Sequence, residues 1–206
     1  MLIYIQNELL DFDNDQNQTE KILKTINVKL EKMELNCSYL IIDGTPLHED
    51  FYNYINNNIA NIKKIEVVTQ TLNELVDETI GSTNDYIRDA IPLITELAEA
   101  FYQQPDGETW LKLNDLFVGI QWIIETISKI DSIRNLDQII SNYEVWNEYV
   151  QEAAQLSTIV SELEASVVGK DHVSIGDILM YEICPVYEKI TPKLSLLLSK
   201  EDNCVS

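Results

Sequence analysis

The spacing of apolar and polar positions changes character once along the chain, near residue 70. Residues 2–6 alternate, residues 7 and 8 can turn, and residues 9–12 alternate again, which is the pattern of a β-hairpin. A polar run over 13–18 leads into 19–33, where Ile22, Leu23, Ile26, Leu30 and Met33 recur at the period of one helix face. Residues 38–42 form another strand-like run, closed by Asp43 and Gly44. Thr45 followed by Pro46 reads as an N-cap with proline at the first helical position, so a short helix is expected over 48–59. The β-branched stretch 64–69 supplies a last strand.

Beyond residue 70 the pattern is helical throughout. Thr71 and Glu74 have the spacing of a capping box, ahead of Leu72, Leu75 and Val76. The small and polar residues 81–84 predict an interruption, after which Ile87, Ile91, Ile94, Ala98 and Phe101 step by four and three. Pro105, Asp106 and Gly107 mark a turn. The next helix carries Leu113, Leu116, Ile120, Ile123, Ile127 and Ile130 with the same alternation, and Asn135 with Gln138 suggests a new cap. A third carries Ile139, Tyr143, Trp146, Val150 and Ala153 on one face. Residues 169–173 read as a loop, and Ser174 with Asp177 as the cap of a last helix through Leu179, Ile183, Val186, Ile190 and Leu197. Pro92, Pro185 and Pro192 each remove a helical hydrogen bond and are expected to bend their helices.

These readings give an α+β fold: a small unit over 1–69 in the order ββαβαβ, then an antiparallel four-helix bundle over 70–206. The order of elements in the first unit resembles the β-grasp, or ubiquitin-like, pattern. That resemblance implies a docking module rather than a conjugated tag, because the unit lacks a diglycine end and runs straight into a helix.

Charge narrows the field of partners. The 206 residues hold 35 acidic and 14 basic side chains, a formal charge of −21. Residues 1–69 carry 11 acids and 6 bases, net −5, and residues 70–206 carry 24 and 8, net −16. Such a field repels phosphate and anionic lipid, so neither nucleic acid nor a membrane surface is expected as a partner. Lys21, Lys24, Lys29, Lys32, Lys63 and Lys64 are the one basic concentration, too diluted by acids to form a nucleic-acid platform. Between Arg134 and Lys170 there are six carboxylates and no Lys or Arg. Asp137, Glu144, Glu148 and Glu152 are spaced by seven, four and four, which places them on a single helical stripe. Like charges at that spacing repel by a few tenths of a kcal/mol per pair. A wet bundle face explains such a stripe in part, but a soluble face normally mixes both signs, so a cationic partner is the sharper reading.

The helix near Ile120 has a second oddity. Leu111, Val118 and Trp122 make a narrow apolar stripe almost opposite its main one, beside Gly119. Such a helix needs two neighbours: either another part of the fold, or a protein surface in which Trp122 is a hot spot. Self-association through this stripe, giving a homodimer, is a further expectation.

Reactive centres are scarce. His48 and His172 are the only histidines, neither has an acid three positions before it, and no metal or other cofactor is expected. Cys184 sits in an apolar helix, Cys204 in a polar tail with no base beside it, and Cys37 is far from both, so reduced thiols in a cytoplasmic protein are expected. The start of the chain lacks a signal peptide's basic and small-residue regions, and no apolar run is long enough to span a membrane. Phosphate-cradle and nucleophile-elbow motifs do not occur. The abundance of Ile, Asn and Lys suits an AT-rich bacterial genome.

The expected function is therefore a non-enzymatic, cytoplasmic protein-interaction module, an adaptor or chaperone, binding a basic or amphipathic segment through Leu111, Val118, Trp122 and the acids Asp137, Glu144, Glu148 and Glu152. In size, acidity and helicity the chain looks like secretion-type chaperones, including flagellar ones. Two rivals come from other classes: an acidic mimic of nucleic acid that occupies a DNA-binding protein, and a bundle enzyme holding a small molecule or metal.

Overall fold

The computed structural model describes residues 1–199 as an α+β chain, with a five-stranded mixed sheet at the amino end followed by helices. Cα packing divides it into two compact units, Met1–Leu75 and from Val76 onward, each with its own core.

In the first unit the strands β1 (Leu2–Ile5), β2 (Glu8–Asp11), β3 (Asn36–Ile42), β4 (Thr45–Leu47) and β5 (Lys64–Gln70) lie in the order β2-β1-β5-β3-β4. β1 runs parallel to β5, and the other pairings are antiparallel. The register aligns Ile3, Ile65 and Ile42 in one row and Ile5, Val67 and Leu40 in the next, so alternation puts six apolar side chains on one face. All six are buried, together with Ile22, Ile26 and Leu30 of α1 (Thr19–Lys32) and Ile55 of α2 (Phe51–Asn58). At about 1.5–3 kcal/mol for each fully buried aliphatic side chain, this face is the main stabilising term of the unit. Asn14 ties the chain after β2 to the segment behind α2, its Nδ2 donating to the carbonyls of Ile59 and Ile62 at 2.6 and 2.7 Å.

The expected ββαβαβ order is corrected to ββαββαβ. Thr45 and Pro46 do not start a helix: they form the short edge strand β4, with Pro46 opposite Ile41, and the helix runs only from Phe51 to Asn58. An edge strand tolerates a residue without an N–H. The preceding turn is made by Asp43 and Gly44, both at positive φ, which suits a two-residue hairpin loop. The Asp43 carboxylate also accepts from the backbone N–H groups of Lys63 and Lys64.

In the second unit α3 (Leu72–Tyr102), α4 (Gly107–Asp131), α5 (Leu136–Ile139), α6 (Tyr143–Gly169), α7 (His172–Ile178), a π-helical turn (Leu179–Ile183) and α8 (Cys184–Leu198) follow one another with short connections. The Thr71 capping box forms, with the Glu74 N–H donating to Thr71 Oγ1 and the Thr71 N–H to Glu74 Oε2. Three expectations fail here. Residues 81–84 do not interrupt α3: Thr83 and Asn84 are buried with Ile80 and Ile87, the Ser82 and Thr83 hydroxyls donate to carbonyls one turn back, and Asn84 accepts from Ser195 Oγ of α8. The last helix is capped by Asp171, not Ser174, since the Ser174 N–H donates to Asp171 Oδ1. Asp137 belongs to the separate helix α5, which ends where Ile140 turns extended, so it does not share a helical stripe with Glu144, Glu148 and Glu152. Pro92 and Pro192 lie within helices, and Pro185 is the second residue of α8, just past the π-helical turn, where a missing N–H is tolerated.

The core of this unit is lined from every long helix, by Ile87, Ile94 and Phe101, by Leu113, Ile120 and Ile123, by Trp146, Tyr149 and Leu156, and by Ile183, Tyr187 and Ile190. Phe101 meets Trp110 edge-on at 5.1 Å, Trp146 Nε1 donates to Asp131 at 3.2 Å, and Lys193 pairs with Glu148 at 3.0 Å. No helix among the described residues is long and apolar enough to cross a membrane. Cys204 lies outside the described residues.

The end of α3 is fastened to α7 by Tyr102, whose hydroxyl donates to Asp177 Oδ1 at 2.6 Å while its ring lies where a side chain on Gly176 would be. That bond, followed by partial desolvation and the negative charge of Asp177, pushes the Tyr102 phenol up to about 12. The folded value is raised, so the bond's contribution is complete below the ordinary phenol range and disappears as pH rises through about 12. In a spectrophotometric titration, Asp177→Ala should bring one tyrosine back toward its ordinary value. A curve unchanged by the substitution would contradict the bond.

Candidate functional site

Within the helical unit, Leu111 and Val118 of the second stripe of α4 stand exposed, and Trp122 is partly covered by the ring of Tyr86. Leu111, Val118 and Trp122 are 67%, 63% and 38% exposed. Their positions follow from α4 itself, whose other face buries Leu113, Leu116, Ile120, Ile123 and Ile130. A helix with one such face in the core must turn its remaining apolar residues outward.

Beside the stripe lies an open groove of about 300 Å³ between α3 and α4. Ala90, Leu93, Ile94, Leu97 and Ala100 of α3 and Leu116 of α4 provide its apolar lining, and Leu93 is 61% exposed. Asp89 and Glu96 on α3 and Asp115 and Lys112 on α4 supply its charges. Lys112 is bound to Glu108 at 2.9 Å, and that carboxylate, reinforced by Glu96, holds the ammonium above its usual range. Asp89 has a distant partner in Arg88, at 3.9 Å. Asp115 has no cationic partner among the described residues.

Groove and stripe meet at Tyr86. Its ring lines the groove and lies edge-on to Trp122 at 5.9 Å, and its hydroxyl fills the space that a Cβ on Gly119 would need, 1.6 Å from that position. Burial, with the charge of Asp115, raises the Tyr86 phenol, and Tyr187 partly offsets the shift. Tyr187 behind it is fully buried, and its hydroxyl lacks a partner of good hydrogen-bond geometry. Desolvation, followed by the neighbouring hydroxyls of Tyr86 and Tyr149, pushes the Tyr187 phenol well up. Tyr86 thus links the surface residue Trp122 to the buried tyrosines.

The acidic candidates fare differently. Asp137 stands apart on α5, exposed. Glu144 is exposed in the first turn of α6, Glu148 is paired with Lys193 of α8, and Glu152 accepts from Gln155 Nε2 at 2.9 Å. The stretch without basic residues therefore receives its counter-charge from another helix. The histidines are packed among rings: His48 stacks on Tyr39 at 4.8 Å, and His172 lies edge-on to Trp110 and Phe101. No group of three acidic, histidine or cysteine side chains among the described residues is placed to hold a metal. Cys184 is buried and its thiol is raised, first by desolvation and then by the charge of Glu188. Tyr86, Asp89, Leu93 and Glu96 were not identifiable from spacing as members of a site. For Asp115 the signal was present, since it stands four residues after Leu111 and three before Val118.

Fold and site define an α+β protein whose helical unit presents an acidic-edged apolar surface. The chain belongs to the family described as a domain of unknown function (DUF8042), whose model matches residues 78–193, more than half of its length. The match contains the whole groove and the exposed stripe of α4. No curated protein and no solved structure matches the chain.

The junction can be tested by Gly119→Ala. Displacing the Tyr86 ring costs about 1–3 kcal/mol, while the better helix propensity of alanine returns about 1 kcal/mol at most. Chemical denaturation should show a net loss of stability in the natural background. In a Tyr86→Ala background the same substitution should become neutral or stabilising. Equal losses in both backgrounds would rule out the contact.

Proposed function

We propose that the protein is a non-catalytic, cytoplasmic interaction module, an adaptor or chaperone-like protein that holds a basic or amphipathic segment of a client protein on the α3–α4 surface. The observation that carries this reading is the exposure of Leu111, Val118 and Trp122 together, next to an apolar groove with acidic edges. An isolated exposed apolar residue is ordinary, but a contiguous patch containing Trp has the composition of binding hot spots. The groove combines an apolar lining from Ala90, Leu93, Leu97 and Leu116 with the charged groups of Asp89, Glu96, Lys112 and Asp115, which suits an amphipathic polypeptide segment.

The same proposal includes finer features of the architecture. The strand order β2-β1-β5-β3-β4, with α1 between the antiparallel hairpin and β3, supports a β-grasp-like docking unit. An antiparallel four-helix bundle is supported by paired contacts: Tyr86 meets Trp122 and Phe101 meets Trp110, so that advancing along α3 means moving back along α4. The strongly negative charge would speed encounter with a basic client.

The test compares the full-length chain with Trp122→Glu in affinity purification from the source organism, read by quantitative mass spectrometry. Burying a charge at a hot spot costs at least about 2 kcal/mol, roughly a 30-fold loss of affinity. A client enriched by the natural chain should therefore be depleted from the variant, with the circular dichroism of both unchanged. Identical sets of co-purified proteins would remove the reading.

A further inference from the structure

The exposed line on α4 is longer than its three apolar members. Leu111, Asp115, Val118 and Trp122 succeed one another by four, three and four residues, and all four are exposed. This is the spacing at which one helix offers a seam to another, with knobs entering holes every three to four residues. An extended segment laid on the same line would find no backbone partner on α4, whose own N–H and C=O groups are already paired within the helix, and would bury its polar backbone unsatisfied. A helix brings its backbone already satisfied. From Leu111 to Trp122 the seam covers twelve residues, about 16 Å at the helical rise, or three turns of a matching helix.

Asp115 lies between Leu111 and Val118 along this seam, on the side that faces the groove. Covering it strips water from a carboxylate that has no cationic partner among the described residues, and a cation carried by the cover compensates that loss directly. A second copy packed about the centre of the seam would set two Asp115 carboxylates against each other, between chains that each carry a formal charge of −21. Asp89 and Glu96 across the groove add to the same field, and the nearby Lys112 is occupied by Glu108.

We propose that this seam receives a single amphipathic helix from a different protein, with a Lys or Arg among its apolar positions that pairs with Asp115 and fixes the register. The inference rests on the reading of the α3–α4 surface as a protein-binding face and adds the occupant's form and charge. One polar position within an apolar seam sets register because every shifted alignment leaves the charge unpaired.

The experiment places a photo-crosslinking benzoylphenylalanine at Val118 of the full-length chain, irradiates it in lysate of the source organism, and sequences the captured peptide. The expected product is a segment of another protein with apolar residues at three- and four-residue spacing and a Lys or Arg among them. With the purified pair, Asp115→Lys should weaken binding by about 30-fold or more, and changing the client's matching Lys or Arg to Glu should restore it in that background. A captured segment that is extended or lacks the cation, a crosslink to a second copy of this chain, or an affinity unmoved by Asp115→Lys overturns the helix and its charge pairing while leaving a binding face in place. Absence of any crosslinked protein overturns the binding face as well.

Discussion

Gly119 has no side chain, and the hydroxyl of Tyr86 occupies the place one would take. As α3 and α4 stand, a side chain at residue 119 would collide with this ring. A ring seated against the backbone of α4 brings the helices together there, carries the groove lining from Ala90 to Ala100 alongside, and holds Trp122 edge-on at the surface. On its inner side the same tyrosine reaches the buried hydroxyl of Tyr187, where desolvation makes a charged phenolate costly and the neutral form is strongly favoured.

Electrostatics determines the kind of partner this face suits. Nearly all the protein's ion pairs among the described residues lie on the surface, where each is worth about 0–1 kcal/mol. Lys193 with Glu148 is one of them, and it shows that the carboxylates of α6 have a structural counterpart on α8. The more telling carboxylate is Asp115, isolated between apolar neighbours. An acid in water costs nothing there, but it becomes expensive once covered, so it selects against neutral or acidic partners more strongly than it attracts basic ones.

Much of this architecture was legible in the chain, and the failures have physical causes. Helix-period runs located α1, α4 and α8, because an amphipathic stripe many residues long is hard to mistake. β4 was missed because three residues carry no periodicity and Thr-Pro favours a helix start as readily as an edge strand. The polar residues near Gly81 looked like a break, but Thr83 and Asn84 are buried with Ile80 and Ile87 along α3, a placement set by tertiary packing. The stripe with Leu111, Val118 and Trp122 was visible, as an apolar line opposite another on one helix. The groove was not, since Tyr86, Asp89 and Leu93 lie on α3 and spacing within one helix does not reveal which residues of α4 stand opposite them. Likewise the acidic stripe looked longer than it is because spacing alone does not reveal the extended residue at Ile140 that separates Asp137 from α6.

The central claim is that α4 is apolar on two sides and that its own fold covers only one of them. Hydroxyl-radical footprinting of the free, full-length chain, read residue by residue by mass spectrometry, tests this most directly. The account predicts rapid oxidation of Trp122 and Leu111, and strong protection of Trp146, which is fully buried. Protection of Trp122 to the same degree as Trp146, independent of protein concentration, would contradict it.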